Sequence, residues 1–150
     1  MIAKPRKYQL PEFLSGVVTQ AFYERWLARK AEAHVRRDRK RGNNEAMREA
    51  YKVAIHKAAE ASGRRDAYTG EMLCWNLISK YDNESSRLGR RIYKASLALL
   101  PTVDHVGDGL GPADFKICGW RTNDAKGDLS VGEFVELCRK VIAHCASVPA

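Results

Sequence analysis

Asp104 and His105 lie side by side in a short β-prone segment, and Asn123 and Lys126 lie three residues apart further along the chain. A glycine-rich loop, residues 107–112, follows the first pair. Carboxylate and amide oxygens are hard ligands that suit Mg²⁺, and a neutral imidazole is a good general base near pH 7. With cationic residues elsewhere in the chain, this set predicts hydrolysis of a phosphodiester bond.

The geometry of a strand limits how the adjacent pair can act. Successive side chains of a strand point to opposite faces, so Asp104 and His105 cannot both face one point in regular β geometry. A kink at the strand end, or a substrate between the two side chains, would let them share a site. Asn123 would lie opposite Asp104 if the strand pair folds back on the next helix, although an Asn there could instead only cap that helix.

Residues 102–128 resemble the HNH nuclease motif of the ββα-metal superfamily. That family ends its first strand with an Asp-His pair and opens its second strand with an Asn. Nine residues later it places an Asn or His on a helix, commonly followed by x-x-Lys. Here Asn123 lies nine residues after Asp114 and three before Lys126. The similarity covers about residues 100–140, can be extended back to the turn over residues 68–71, and does not include the basic first part of the chain.

The resemblance implies a role for each matching residue. His105 would be the general base that activates water, and Asp104 and Asn123 would hold a single Mg²⁺, or another divalent cation such as Mn²⁺. Lys126 would contact phosphate or brace the metal ligands. Asp114 stands where the family usually has an Asn that pins the loop and helps orient the histidine. It is a further catalytic candidate, which could accept a hydrogen bond or act as a third metal ligand.

The function that the resemblance implies is metal-dependent endonucleolytic cleavage of DNA. The alternative is a non-catalytic DNA-binding protein that keeps an HNH-like fold, and Asp114 keeps this alternative open. One ββα site cuts one strand, so a monomer would nick DNA and a homodimer could cut both strands.

The positive charge is concentrated in the first part of the chain. Residues 1–66 hold 16 Lys and Arg against 8 Asp and Glu, whereas residues 67–150 hold 10 of each, so the net charge of +8 arises before residue 67. Such an excess attracts polyanions, usually nucleic acid, although it could be a solvated helix face or could bind an acidic protein. The nucleic-acid-binding candidates are Arg36, Arg37, Arg39, Lys40, Arg41 and Arg121.

Apolar periodicity predicts the elements that carry these residues. We expect helices over 12–41 and 45–61, and a third from Asp82 that ends before Pro101. Short strands are expected over 102–106 and 115–118.

A final helix should begin at a capping box formed by Ser130 and Glu133. Its apolar face would consist of Phe134, Leu137, Cys138, Val141 and Ile142. The predicted fold is therefore α+β and mainly helical, with a basic helical region over 1–66 and a ββα nuclease domain over 67–150.

Several classes of protein are not expected. No CxxC pair is present, so we expect no structural zinc, and the four cysteines (Cys74, Cys118, Cys138 and Cys145) are predicted to be buried thiols. No apolar run is long enough to span a bilayer, and residues 1–13 lack the apolar core of a secretory signal. The expected location is the cytoplasm, with no membrane partner.

Overall fold

The computed structural model describes residues 2–80, 91 and 95–148. Among these residues the fold is α+β and mainly helical, as predicted. Its helices and strands are α1 (Gln20–Lys40), α2 (Arg48–Ser62), β1 (Pro101–His105), β2 (Phe115–Gly119), α3 (Trp120–Lys126) and α4 (Val131–Ser147). Two short 3₁₀ helices span Glu12–Leu14 and Trp75–Ser79. Most of the helix predicted from Asp82 lies outside the described residues.

The first long helix begins later than predicted. The prediction of a helix from residue 12 was wrong, because Glu12–Leu14 form only a 3₁₀ turn and Gly16 adopts a positive φ of 76°. Thr19 then caps α1, its side chain accepting a hydrogen bond from the backbone N–H of Phe22 at 3.1 Å. The apolar spacing runs through this break and so did not reveal it.

Helices α1 and α2 form an antiparallel pair whose apolar faces meet in the core. Tyr23, Trp26 and Leu27 of α1 and Ile55 of α2 are almost completely buried. The same core includes Ile117 of β2, so residues before and after position 66 share one hydrophobic core.

The two strands form an antiparallel hairpin in which His105 pairs with Phe115 and Pro101 pairs with Gly119. Helix α3 follows β2 directly, which gives the order β-β-α that the sequence predicts. Residues 101–104 of β1 are all buried, so both faces of this strand are covered by protein. Asp104 and His105 therefore point to opposite faces and enter different surroundings.

The predicted capping box of α4 is present, since Glu133 N donates to Ser130 Oγ and Ser130 N donates to Glu133 Oε2. No side chain of α4 is fully buried by the described residues: Leu137, Val141 and Ile142 are exposed, and Phe134 and Cys138 are half-buried. The prediction that all four cysteines are buried is confirmed only for Cys118, since Cys74 and Cys138 are half-buried and Cys145 is exposed. No described helix combines the length and apolar character needed to cross a membrane.

Candidate functional site

A cleft of about 790 Å³ lies beside the end of β1 and is lined by residues of α1, α3 and the start of α4. Four of the five predicted catalytic and metal-binding residues line it: Asp104, His105, Asn123 and Lys126. The cleft therefore brings together the imidazole, two oxygen donors and the lysine of the predicted motif. Their arrangement depends on neighbours that the sequence reasoning did not identify.

Asp104 lies on the face of β1 that packs against α3. Its Oδ2 is 3.1 Å from Lys126 Nζ and accepts a 2.5 Å hydrogen bond from the hydroxyl of Tyr68. Burial, together with the bond to Asp104, raises the pKa of Tyr68, so this phenol stays protonated and donates. Asp104 is thus held by one cation and one neutral donor. Tyr68 lies in the turn to which the HNH resemblance extends, although sequence analysis assigned this residue no role.

The segment that carries Tyr68 is fixed to the strand-helix junction by Asp66, which is 2% exposed. Asp66 accepts hydrogen bonds from Gly119 N at 2.8 Å, Thr122 Oγ1 at 2.7 Å and Tyr68 N at 2.7 Å. Burial opposes its ionisation, but these bonds outweigh burial and hold the pKa of Asp66 below its usual value. Asp66 therefore positions both α3 and Tyr68, a role that no local pattern in the sequence indicated.

His105 lies on the other face of β1, against α1. Its ring packs near the rings of His34 and Phe115, at centroid distances of 4.8 Å and 4.6 Å. Its Nε2 lies 2.9 Å from Asp38 Oδ2. Burial lowers the pKa of His105, although the nearby Asp38 carboxylate partly offsets this effect. The neutral imidazole therefore predominates at pH 7, as a general base requires.

Asp38 is completely buried, although it lies within the basic run of residues 36–41 at the end of α1. The hydroxyl of Tyr51 donates to its Oδ2 at 2.5 Å, and burial and this bond raise the pKa of Tyr51. Sequence analysis counted Asp38 only as part of that run. A signal was available, because Leu27, Ala31 and Asp38 recur at helical spacing on the buried face of α1.

The structure places Asp114 apart from the other motif residues. Its side chain is exposed, and it lines a separate groove together with Ala50 and Phe115 rather than the cleft. Its backbone oxygen accepts a hydrogen bond from Val106 N at 3.0 Å, which extends the strand pairing. Asp114 is therefore not brought together with Asp104 and Asn123.

Two arginines of the basic run reach the cleft. Arg37 and Arg41 line it, and Arg41 lies 3.6 Å from Asp128 in an exposed ion pair. Their side chains add positive charge to the cleft.

The other basic candidates lie elsewhere. Arg36 is exposed and 4.0 Å from Glu32, and Lys40 is exposed at the end of α1. Arg39 donates two hydrogen bonds to the backbone oxygen of Ala46 and so supports the α1–α2 connection. Arg121 pairs with Glu71 and does not line the cleft.

Asp104 and Asn123 are cleft residues that could contribute oxygen ligands to a divalent cation. Within the described ranges, no group of three or more His, Cys, Asp or Glu side chains could hold a metal ion. Asp104 and Asn123 both line the cleft with hard oxygen donors, and Mg²⁺ commonly takes one or two protein ligands and completes its shell with water and phosphate. A cation bound here would share the Asp104 carboxylate with Lys126.

Comparisons with protein-family models, curated proteins and solved structures find no match for this chain. The geometry of the cleft and the resemblance of residues 102–128 to the HNH motif are therefore the grounds on which a function can be assigned.

Proposed function

We propose that this protein is a metal-dependent endonuclease that hydrolyses phosphodiester bonds in DNA through an HNH-like ββα core. One observation carries the proposal: a neutral imidazole, His105, and two hard oxygen donors, Asp104 and Asn123, line the same cleft. Two arginines at that cleft suit a phosphate-bearing substrate.

In this proposal His105 takes a proton from the attacking water, because its ring is neutral and lines the cleft. Asp104 and Asn123 would hold Mg²⁺ or Mn²⁺, which would stabilise the negative charge that develops on the scissile phosphate and the leaving oxygen. Lys126 braces the Asp104 carboxylate from 3.1 Å and adds positive charge to the cleft. The hydroxyl of Tyr68 donates a hydrogen bond to the same carboxylate and so helps to fix its position.

DNA would be bound mainly through its backbone. Arg37 and Arg41 lie at the cleft, while Arg36 and Lys40 extend the positive surface along α1. Such contacts neutralise phosphates without reading bases, so they would bind DNA independently of sequence and with a strong dependence on salt.

A second candidate is a DNA-binding protein that keeps the nuclease shape without cutting. Two observations favour it. Asp114, one of the predicted catalytic residues, lies outside the cleft, and the ammonium of Lys126 already neutralises Asp104. In that case the cleft would bind a phosphate without hydrolysing it.

A homodimer would allow both DNA strands to be cut, and α4 is the surface that we propose for it. Leu137, Val141 and Ile142 of α4 are 46%, 52% and 68% exposed. The first half of α4 carries Glu133 and Glu136, and the basic side chains follow them. An antiparallel second copy would therefore cover the apolar face and place opposite charges against each other.

Light scattering of the purified protein tests the dimer. A double change of Leu137→Glu and Val141→Glu should convert a dimer into a monomer. Ala143→Glu, two residues beyond Val141 and so on the far side of the helix, should leave the mass unchanged. A monomeric wild-type protein at high concentration would refute this surface.

A plasmid-nicking assay tests the nuclease. Wild-type protein should nick plasmid with Mg²⁺ or Mn²⁺ and not with a chelator. His105→Ala should lower the rate by about 10²–10⁴-fold while DNA binding persists. His144→Ala, at an exposed position of α4, is the matched control and should cut normally.

Each other result of the assay has a defined meaning. Equal nicking by wild type and His105→Ala would exclude the proposed base. Salt-dependent DNA binding without cleavage in any metal would establish the second candidate. The absence of both DNA cleavage and DNA binding would exclude both candidates. It would favour the remaining alternative, a helical protein-interaction module whose basic residues bind an acidic protein.

A further inference from the structure

We infer that Asp38 is a positioning residue that fixes the orientation and tautomer of His105 from α1, outside the ββα motif. The effect of Asp38 on catalysis rests on the proposed nuclease function, whereas the contact between Asp38 and His105 does not. Asp38 and His105 are far apart in the chain, and their contact exists because α1 packs across the end of β1.

The surroundings of Asp38 give its carboxylate a defined set of partners. The side chain is 0% exposed, and a buried carboxylate is costly unless it is partnered. Its Oδ2 accepts a 2.5 Å hydrogen bond from Tyr51 and lies 2.9 Å from His105 Nε2. Tyr51 lies on α2, so two helices and a strand converge on this one oxygen.

The glycine-rich loop closes the remaining side of Asp38. Asn43 Nδ2 donates to the backbone oxygen of Gly109 at 2.8 Å, which ties the loop to the end of α1. A Cβ at Gly109 would lie 2.7 Å from Asp38 Oδ1, so the loop backbone lies directly against the carboxylate. The loop therefore encloses Oδ1, which has no hydrogen-bond partner among the described residues, while Tyr51 holds Oδ2 beside the imidazole.

The contact with His105 determines which ring nitrogen carries the proton. The ring N–H is not aimed closely enough at Oδ2 to form a regular hydrogen bond, although Nε2 is only 2.9 Å away. Because a carboxylate only accepts, the favoured neutral ring carries hydrogen on Nε2 and keeps the Nδ1 lone pair for a proton from water.

The residue that the motif resemblance assigned to orienting the histidine does not do so here. Asp114 is exposed in a different groove, whereas Asp38 approaches the ring directly. His34 and Phe115 pack near the ring and restrict its rotation, but their contacts do not specify a tautomer.

Two-dimensional NMR of protein labelled with ¹⁵N histidine tests the contact independently of activity. Under mildly alkaline conditions, His105 of the wild type should show the tautomer with hydrogen on Nε2. Asp38→Asn should shift it towards a mixture, because an amide can donate as well as accept. A wild-type ring with hydrogen on Nδ1, or a tautomer unaffected by Asp38→Asn, would overturn the inference.

Cleavage kinetics test the consequence. Asp38→Asn should lower kcat by about 10–100-fold, the range for residues that support a functional group, with little change in KM. In a His105→Ala background the same change should have no further effect, because Asp38 acts through the imidazole. An equal loss in both backgrounds would show a merely structural role and overturn the inference.

A second variant covers the case in which Asp38→Asn does not fold. Tyr51→Phe removes only the hydroxyl that holds Asp38 Oδ2, so it should reduce kcat by less than Asp38→Asn and again have no effect without His105.

These experiments distinguish failure of the inference about Asp38 from failure of the proposed nuclease function. Cleavage that needs His105 but not Asp38 or Tyr51 refutes the inference alone, while an Asp38-dependent tautomer without cleavage refutes the nuclease alone.

Discussion

Lys126 Nζ lies 3.1 Å from Asp104 Oδ2, and the two side chains are only 4% and 8% exposed. This buried ion pair joins α3 to β1 and so closes the ββα unit. It also places the positive charge of Lys126 beside the Asp104 carboxylate in the cleft. The hairpin and the helix thereby share one electrostatic contact on which both stability and the site depend.

Breaking this pair from one side should be costly. We expect Lys126→Met to lower the free energy of unfolding by about 3–5 kcal/mol, because it leaves Asp104 charged and buried without its cation. Urea unfolding measures the change. Asp128→Asn is the control, since it removes the exposed pair with Arg41 and should cost at most about 1 kcal/mol. Similar small losses in both variants would show that Asp104 and Lys126 are not coupled in solution.

The position of basic residues should matter more than their number. We expect a double variant of Arg37→Gln and Arg41→Gln, at the cleft, to weaken DNA binding and to reduce the slope of log K against log salt by about 2. The matched variant, Arg36→Gln with Lys40→Gln, removes the same charge outside the cleft and should have a smaller effect. Fluorescence anisotropy over a salt series compares them. Equal losses would mean that DNA responds to net charge and not to the cleft.

The loop after β1 should tolerate a methyl group at one glycine and not at another. Gly109 has a φ of 81°, and a Cβ there would meet Asp38 Oδ1 at 2.7 Å. We expect Gly109→Ala to destabilise the protein by about 1–3 kcal/mol and to impair nicking by displacing the carboxylate. At Gly111 no atom lies within 4 Å of a Cβ, so Gly111→Ala should be nearly neutral in thermal unfolding. A stable, active Gly109→Ala protein would show that the loop does not rest on Asp38 in solution.

His34 should make stability sensitive to acid. Burial, with a contribution from the charge of Arg37, lowers the pKa of His34 from 6.5 to about 3. Below pH 6.5 His34 is protonated in the unfolded chain but stays neutral in the folded chain. His34 therefore lowers the free energy of unfolding by about 1.4 kcal/mol per pH unit as the pH falls towards 3.

Replacing this histidine by a side chain that does not titrate should make the free energy of unfolding less dependent on pH below neutrality. We expect His34→Gln to show less loss of stability between neutral pH and about pH 4 in urea unfolding at each pH. His144→Gln on α4 changes an exposed histidine and should keep the wild-type slope. An unchanged slope in His34→Gln would show that His34 is not buried in solution.

Local patterns in the sequence predicted much of the framework of this protein. Apolar spacing predicted α1 and α2, although it missed the break at Gly16, and the Ser130 capping box predicted the start of α4. The alternation of a strand predicted that Asp104 and His105 face opposite ways. These features depend on backbone geometry and on interactions within a few residues, which short stretches of sequence encode.

The partners of the two central side chains depended on tertiary structure. His105 lies against Asp38, and Asp104 is bonded to Tyr68, 36 residues earlier in the chain. Asp38 stood within a basic run, and the turn that contains Tyr68 was linked to the motif only by resemblance, so neither side chain was given a partner from sequence. Only the packing of α1 across β1, and the anchoring of the Tyr68 turn by Asp66, brings these groups together. Buried hydrogen bonds of this kind form between surfaces that distant segments create on folding, and a local pattern does not specify those surfaces.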